Sequence, residues 1–420
     1  MIISFKEIIK EEIYKIPIVD THEHLMSEEE RNSRPIDIFY FFAHYASSDL
    51  VSAGMPQATL DKIRNPSIPL EERWRDFAPY WEYIRNTAYA KALIIAIRDL
   101  FGIEDINEET YQAISAKLKE SQRKGWYSYV LRERANIAIS LQYVGTIDVD
   151  RELFLPVAYY DHFITARSKW DINSLERSYN VSIHSLDDFL RALDIAFERD
   201  VKAGAVGIKS GLAYNRILRY DKVSKSEAEA LFNRIFSHLG EGLSWEEAKP
   251  LQDFIMHQVI KRAISYNLPI TIHTGLQEGN GNIITNANPV HLVNLFLEYK
   301  EAKFDIFHGG YPYTSELATL AKNFQNVYID MCWLHIISPN VSRRALHEWL
   351  ETVPQNKIMG FGGDYIFVEG AYAHSRIARE NIARVLIEKV EEGYLNEEEA
   401  IKIAYRLLRD NPKELFNLRI

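Results

Sequence analysis

Two histidines one residue apart, His22 and His24, stand in the segment Val19-Asp20-Thr21-His22-Glu23-His24. Side chains two positions apart on an extended strand project from one face, so both imidazoles can aim at one cation. With 13 histidines in 420 residues, about 0.4 such spacings arise by chance. The pair therefore gains its weight from position, because a buried apolar run ends there. Three later runs end in the same way. PITIH ends in His273, FDIFH ends in His308, and KIMGFGG leads directly into Asp364. Imidazole and carboxylate donors converging from separate strand ends suit a divalent metal, zinc first and then manganese or iron, and offer too few oxygens for a calcium cage. One ion is expected rather than two.

A lysine ends another run, Ala205-Val206-Gly207-Ile208-Lys209. An ammonium buried there is costly unless it is paired or neutralised. Lys209 is therefore expected to hydrogen-bond a substrate anion or, once carbamylated, to bridge two metals. Trp333 follows a further run and is placed on the pocket wall. The remaining histidines, His44, His162 and His238 among them, fall mostly in helical patterns and are assigned to surface or satisfied core positions.

The elements that must hold these residues recur in a regular order. Eight short, β-branched apolar runs are read as strands: Ile16–Asp20, Asn136–Leu141, Leu153–Tyr159, Ala205–Lys209, Pro269–His273, Phe304–His308, Val327–Met331 and Lys357–Phe361. Unbroken apolar runs suit parallel strands covered on both faces. Amphipathic stretches alternate with them: Leu186–Asp200, Pro250–Tyr266, Pro289–Tyr299, Thr314–Asn323, Val341–Thr352 and Arg376–Glu391, with Glu397–Phe416 closing the far end. The expected fold is a (β/α)8 TIM barrel, an α/β architecture spanning residues 1–420 as one unit. Residues 27–130 form a helical insertion after the first strand, rich in aromatics, and residues 212–248 form a second long connection. Loops after strands lie at the catalytic face of such barrels, so both are expected to roof the site.

Bulk properties narrow the partners. Forty-nine Lys and Arg against 59 Asp and Glu give a formal net charge of -10, the opposite of the basic field that nucleic-acid binding needs. No apolar run approaches the roughly 20 residues that span a bilayer. One cysteine, Cys332, cannot form an internal disulfide, which suits a reducing, cytoplasmic setting. A small-molecule substrate remains as the partner, and the aromatic insertion suits a homo-oligomer.

The chain resembles the amidohydrolase superfamily of metal-dependent hydrolases. The resemblance rests on His-x-His after the first strand, histidines after the fifth and sixth, and an aspartate after the eighth. The segments GIKSGLAYNR, LPITIHTG, NANPVHLVNLF, HGGYPYTSELATLAKNFQNVYID and FGGD are similar to the amidohydrolase-like domain of nodulins and of glutamine-synthetase fusions. WEYIRNTAYAKALIIAIRDLFGI is similar, less closely, to uronate isomerases. The resemblance implies that His22, His24, His273 and Asp364 hold metal, that Asp364 is the general acid/base, and that His308 binds a second metal or the substrate. It implies hydrolysis of an amide, lactone or similar bond on a small polar substrate, with non-oxidative decarboxylation and uronate isomerisation as alternatives. Lys209 and His308 would stabilise the developing oxyanion, and Tyr214, Arg216 and Arg85 would clamp a substrate carboxylate.

Overall fold

In the computed structural model, which describes residues 4–237 and 242–420, each apolar run forms a parallel stave of one ring. The strands are β1 (Ile18–Glu23), β2 (Ile137–Gln142), β3 (Phe154–Pro156), β4 (Ala158–Tyr159), β5 (Ile208–Ser210), β6 (Ile270–His273), β7 (Phe304–Phe307), β8 (Val327–Asp330) and β9 (Ile358–Met359). They pair in chain order, β1 to β3 and then β4 to β9, and every pairing is parallel. Two seams close the ring. At one, the Val157 N–H donates to the Gln142 carbonyl (3.0 Å) and the Val206 N–H to the Pro156 carbonyl (3.0 Å). At the other, the Thr21 N–H donates to the Phe361 carbonyl at 3.2 Å and the Asp364 N–H to the His22 carbonyl at 2.7 Å. The fold is a (β/α)8 barrel.

Three boundaries differ from the sequence reading, each for a local reason. The run from residue 153 to 159 is two short strands, because Pro156 has no N–H to give to a ladder and the chain changes partners at Val157. β1 starts after Pro17 and runs on to Glu23, so His22 lies within the strand. The closing helix is broken into Glu397–Tyr405, a widened π turn at Arg406–Asp410, and Asn411–Leu415, where Pro412 cannot donate back along the helix.

Apolar side chains fill two separate spaces. The larger core lies between the strands and the helices around them. The smaller one gathers Val19, Ile139, Leu141, Val157 and Met359 from the strands with Leu415, Phe416 and Leu418 from the chain's end. The tail therefore plugs the barrel at the end away from the histidines. Gly207 gives the plug room there, since a Cβ would stand 3.0 Å from the Phe416 ring. Residues 27–130 form a run of helices between β1 and β2. Their packing is aromatic: Phe42 lies 4.5 Å from Phe77 between ring centroids, and Trp74 stacks at 4.5 Å on Tyr111. Among the described residues no helix is long and apolar enough to cross a membrane.

Truncating the plug with Phe416→Ala is expected to cost about 3–5 kcal/mol, read as a lower urea midpoint with an unchanged slope. A loss under about 1 kcal/mol, within the range of ordinary surface substitutions, would show that the tail does not seal the barrel.

Candidate metal centre

The seam between β1 and residues 361–365 builds the site. Beyond the two bonds already given, the His24 N–H donates to the Tyr365 carbonyl at 2.9 Å, and the Tyr365 N–H donates to Glu23 Oε2 at 2.8 Å. Asp20 fastens the other side of the strand. Its Oδ1 accepts from the His22 N–H (3.1 Å) and the Gly363 N–H (3.0 Å), and its Oδ2 accepts from Ser140 Oγ at 2.8 Å. The buried Glu23 carboxylate packs so closely on this segment that a Cβ on Gly363 would sit 1.8 Å from Glu23 Oε1.

This zipper sets the ligand atoms. His22 Nε2 lies 2.9 Å from His24 Nε2, and Asp364 Oδ1 lies 3.3 Å from the first and 3.1 Å from the second. A second group, His308, Cys332 and Asp364, shares the same carboxylate, with His308 Nδ1 3.7 Å from Asp364 Oδ2. Donors held about 2.0–2.2 Å from one zinc-sized ion stand about 3.0–3.5 Å from one another, so the first group has the edge lengths of a coordination polyhedron. Its protonation also suits a cation. Burial, then the nearby Lys209 charge, hold His22 well below its ordinary value, and burial brings His308 down to about 3. Both imidazoles are therefore neutral, as ligation requires. Burial pushes the Asp364 carboxyl up, but the His24 hydrogen bond, followed by the adjoining His22 and His308 rings, outweighs it and holds the group well below the carboxylate range.

The backbone is strained at the same point. Among the described residues, seven non-glycine residues have positive φ; four are asparagines, and the other three are His308 (φ 67°), Trp333 (φ 63°) and Asp364 (φ 58°). Such conformations cost about 1–3 kcal/mol each and persist where surrounding structure enforces them.

A cavity of about 290 Å³ opens over the group, lined by His24, Lys209, Tyr214, His273 and Asp364, with His44 and Tyr45 from the insertion. A larger cavity of about 810 Å³ flanks β4 and shares Tyr159 with it, yet none of His22, His24, His273 or His308 lines it. The site is therefore placed by its ligand chemistry rather than by volume.

Comparison with known proteins places the chain in a family. The amidohydrolase family profile matches residues 181–418, more than half of the chain. The chain belongs to the amidohydrolase family. It is 31% identical over 225 residues to the fluG protein of Emericella nidulans, a match covering 51% of this chain and 26% of that protein. The uronate isomerase of Thermotoga maritima is 22% identical over 440 residues, covering 96% of this chain and 95% of its own. In fold, the crystal structure of a uronate isomerase from Thermotoga maritima superposes with a TM-score of 0.82 at 20% identity, over 98% of this chain and 97% of that one. The glucuronate isomerase of Caulobacter crescentus superposes with a TM-score of 0.79 at 20% identity, over 99% and 94%.

Not every expected residue joins the centre of this amidohydrolase. His273 stands outside the His22–His24–Asp364 group. Its Nε2 donates to the Leu276 carbonyl at 2.8 Å, and its Nδ1 accepts from His308 Nε2 at 2.8 Å, so both nitrogens are engaged. His308 Nδ1 lies 3.3 Å from the Cys332 carbonyl and 3.7 Å from Asp364 Oδ2. Arg85 is remote from the cavity: it pairs with Asp105 at 2.6 Å and donates to the Ile106 carbonyl at 3.1 Å within the insertion. Arg216 is buried against Asp253 and Gln252, bracing the loop after β5 onto the helix Trp245–Ser265. Neither arginine is free to clamp a substrate. Trp333 is buried behind the site, edge-on to His308 at 5.3 Å and stacked at 4.7 Å on Tyr45. Tyr214 lines the cavity, its ring 4.7 Å from His273. His238 lies outside the described residues.

The sequence reading passed over several cavity residues: His44, Tyr45, Tyr143, Tyr159 and Glu278. Tyr143 and Tyr159 stand at strand ends and were open to the rule that found the histidines. His44 and Tyr45 come from an insertion whose register on the barrel is not written in any local pattern. Asp161 was likewise missed; its Oδ2 accepts from the Gly211 N–H at 2.6 Å and so holds the loop lining the cavity.

Burial raises Asp161 to about 7, whereas an unfolded aspartate releases its proton near 3.9. Between those values the folded chain binds the extra proton, so this group's contribution to stability falls as pH rises from about 4 to about 7. Asp161→Asn keeps the acceptor without the charge. Its melting temperature relative to wild type should climb across that window and then level off; parallel curves from pH 4 to 8 would exclude a titrating Asp161.

Proposed function

We propose that this amidohydrolase is a metal-dependent hydrolase that cleaves an amide, lactone or similar bond of a small, polar, carboxylate-bearing substrate. The observation that carries this reading is the triad of His22, His24 and Asp364, three mutually adjacent ligand atoms of one carboxylate and two imidazoles beneath a cavity of about 290 Å³. A divalent cation held by these residues, zinc foremost, supplies water activated for attack and a polarised carbonyl.

The chain's own residues supply the rest. Asp364, ionised and facing the cavity, takes the proton of the attacking water and returns it to the leaving nitrogen or oxygen. His308 Nδ1 stands beside that carboxylate, 3.7 Å from Asp364 Oδ2. Lys209 is buried, lines the cavity, and among the described residues has no hydrogen-bond partner for Nζ, which lies 4.3 Å from the Phe307 ring centroid. Leaving an ammonium so placed is costly, and a substrate carboxylate or developing oxyanion would offset that cost. Tyr45, Tyr143, Tyr159 and Tyr214 wall the cavity and exclude bulk water around the reacting bond.

A second reading, isomerisation of a uronate at the same group, is favoured by the uronate isomerases that align along nearly the whole chain. Mass spectrometry of pooled N-acyl amino acids, lactones, hydroxybenzoates and uronates separates the outcomes. Hydrolysis adds water, decarboxylation loses CO₂, and isomerisation leaves the mass unchanged while altering a uronate's chromatographic position. Metal analysis should give about one equivalent per chain, and none of these products from metal-replete protein would sink the enzyme reading. Asp364→Asn should lower turnover by about 10²–10⁴-fold with an unchanged circular dichroism spectrum. Lys209→Met should raise KM for the carboxylate-bearing substrate roughly ten- to a hundredfold, the worth of a charged hydrogen bond, and should leave metal content at wild-type level.

A further inference from the structure

A second cavity, of about 300 Å³, shares no lining residue with the metal centre. It lies where four helices meet: Phe5–Lys15, Ala88–Phe101, Pro339–Thr352 and Val368–Glu391. Four arginines line it, Arg98, Arg343, Arg376 and Arg384. Two carboxylates answer them. Asp99 lies 2.9 Å from Arg98 and 3.8 Å from Arg376, while Glu380 lies 3.0 Å from Arg384 and is shared with Lys10 at 2.8 Å. Five cations thus divide two anions, and among the described residues no carboxylate lies within 4.0 Å of the Arg343 guanidinium. In a chain of net charge -10, this local excess runs against the overall composition.

The arginines are also positioned before any ligand arrives. Arg376 rests 4.8 Å above the Tyr14 ring, and the contacts to Asp99 and Glu380 hold the Arg98 and Arg384 forks, which lowers the ordering cost of binding. The groove takes in Pro339, the first residue of a 14-residue helix, and so lies at the positive end of that helix dipole. On its floor, Asn381 is buried and donates to Ser342 Oγ at 3.1 Å. The Asn381 amide also faces His335 Nδ1 at 3.4 Å, and His335 Nε2 donates to the Gly360 carbonyl at 3.0 Å, on the segment that leads to Asp364.

We propose that this groove is an anion site for a compact oligophosphate, either free or as the phosphate chain of a nucleotide. Several guanidinium forks around one small cavity match the paired oxygens and multiple charges of adjoining phosphoryl groups, whereas a single carboxylate would leave most of the forks unsatisfied. The site is independent of the reaction assigned to the barrel mouth.

The test is isothermal titration of the full chain with sodium triphosphate, pyrophosphate and adenosine triphosphate at fixed ionic strength. One saturable site is expected, weakening steeply with added salt. The double variant R98Q/R343Q, whose side chains lie in the outer helical layer, should bind triphosphate at least tenfold more weakly while its circular dichroism spectrum is unchanged. Lys209→Met, altered only in the metal cavity, should bind triphosphate as wild type does, which separates this groove from the centre. Tighter binding of adenosine triphosphate than of triphosphate would assign a nucleotide source, and equal binding would assign the phosphate chain alone. Absence of saturable binding at millimolar triphosphate, or undiminished binding by R98Q/R343Q, would overturn the proposal.

Discussion

The hydrogen-bonded seam between β1 and residues 361–365 carries two burdens at once. Its backbone bonds, from Thr21 to Phe361 and from Asp364 to His22, close the barrel between its first and last staves. They also set a histidine pair from residues 22 and 24 against a carboxylate more than 300 residues away. Because one set of bonds does both, the ligand geometry cannot loosen without opening the ring. Glycines at 362 and 363 follow from the same constraint: a Cβ at either would strike Thr21 or Glu23.

Charge burial shows where this chain spends stability. Asp20 and Asp330 are pushed up to about 6 and about 7 by burial. Asp305 is also driven well above its ordinary value by burial and then by Asp330, and among the described residues neither of its oxygens has a hydrogen-bond partner. Lys209 stands unpaired in the same barrel. Three residues with strained backbone lie at or beside the candidate centre. A fold selected for stability alone would replace such groups with apolar ones. Buried charge and strained backbone are thus gathered in one barrel, where desolvation strengthens each electrostatic contact.

Family membership and local chemistry constrain different things. The amidohydrolase match covers residues 181–418, which carry Lys209, His273, His308 and Asp364. Likeness to uronate isomerases extends over nearly the whole chain, including the insertion that brings His44 and Tyr45 to the cavity. One barrel hosts many reactions, so the reaction lies in what the cavity walls accept. The helix Val368–Glu391 reaches from His374, which donates to the Gly363 carbonyl at 2.9 Å, to the arginine groove at Arg384. One helix therefore packs against both the segment that carries Asp364 and the groove.

Strand identity, strand order and the placing of His22, His24, His308 and Asp364 at strand ends were written in the sequence, because these follow from local periodicity and from the rule that parallel strands are crossed over by helices. The break at Pro156 was equally local, though only the pairing revealed it. Whether His273 points at the ion group or spends both nitrogens on Leu276 and His308, and whether Arg85 and Arg216 face the cavity or pair with Asp105 and Asp253, was decided by tertiary structure alone. Those outcomes turn on which side chains become neighbours across long stretches of chain. A buried cation takes the nearest carboxylate that packing offers, and no spacing along the sequence encodes that distance.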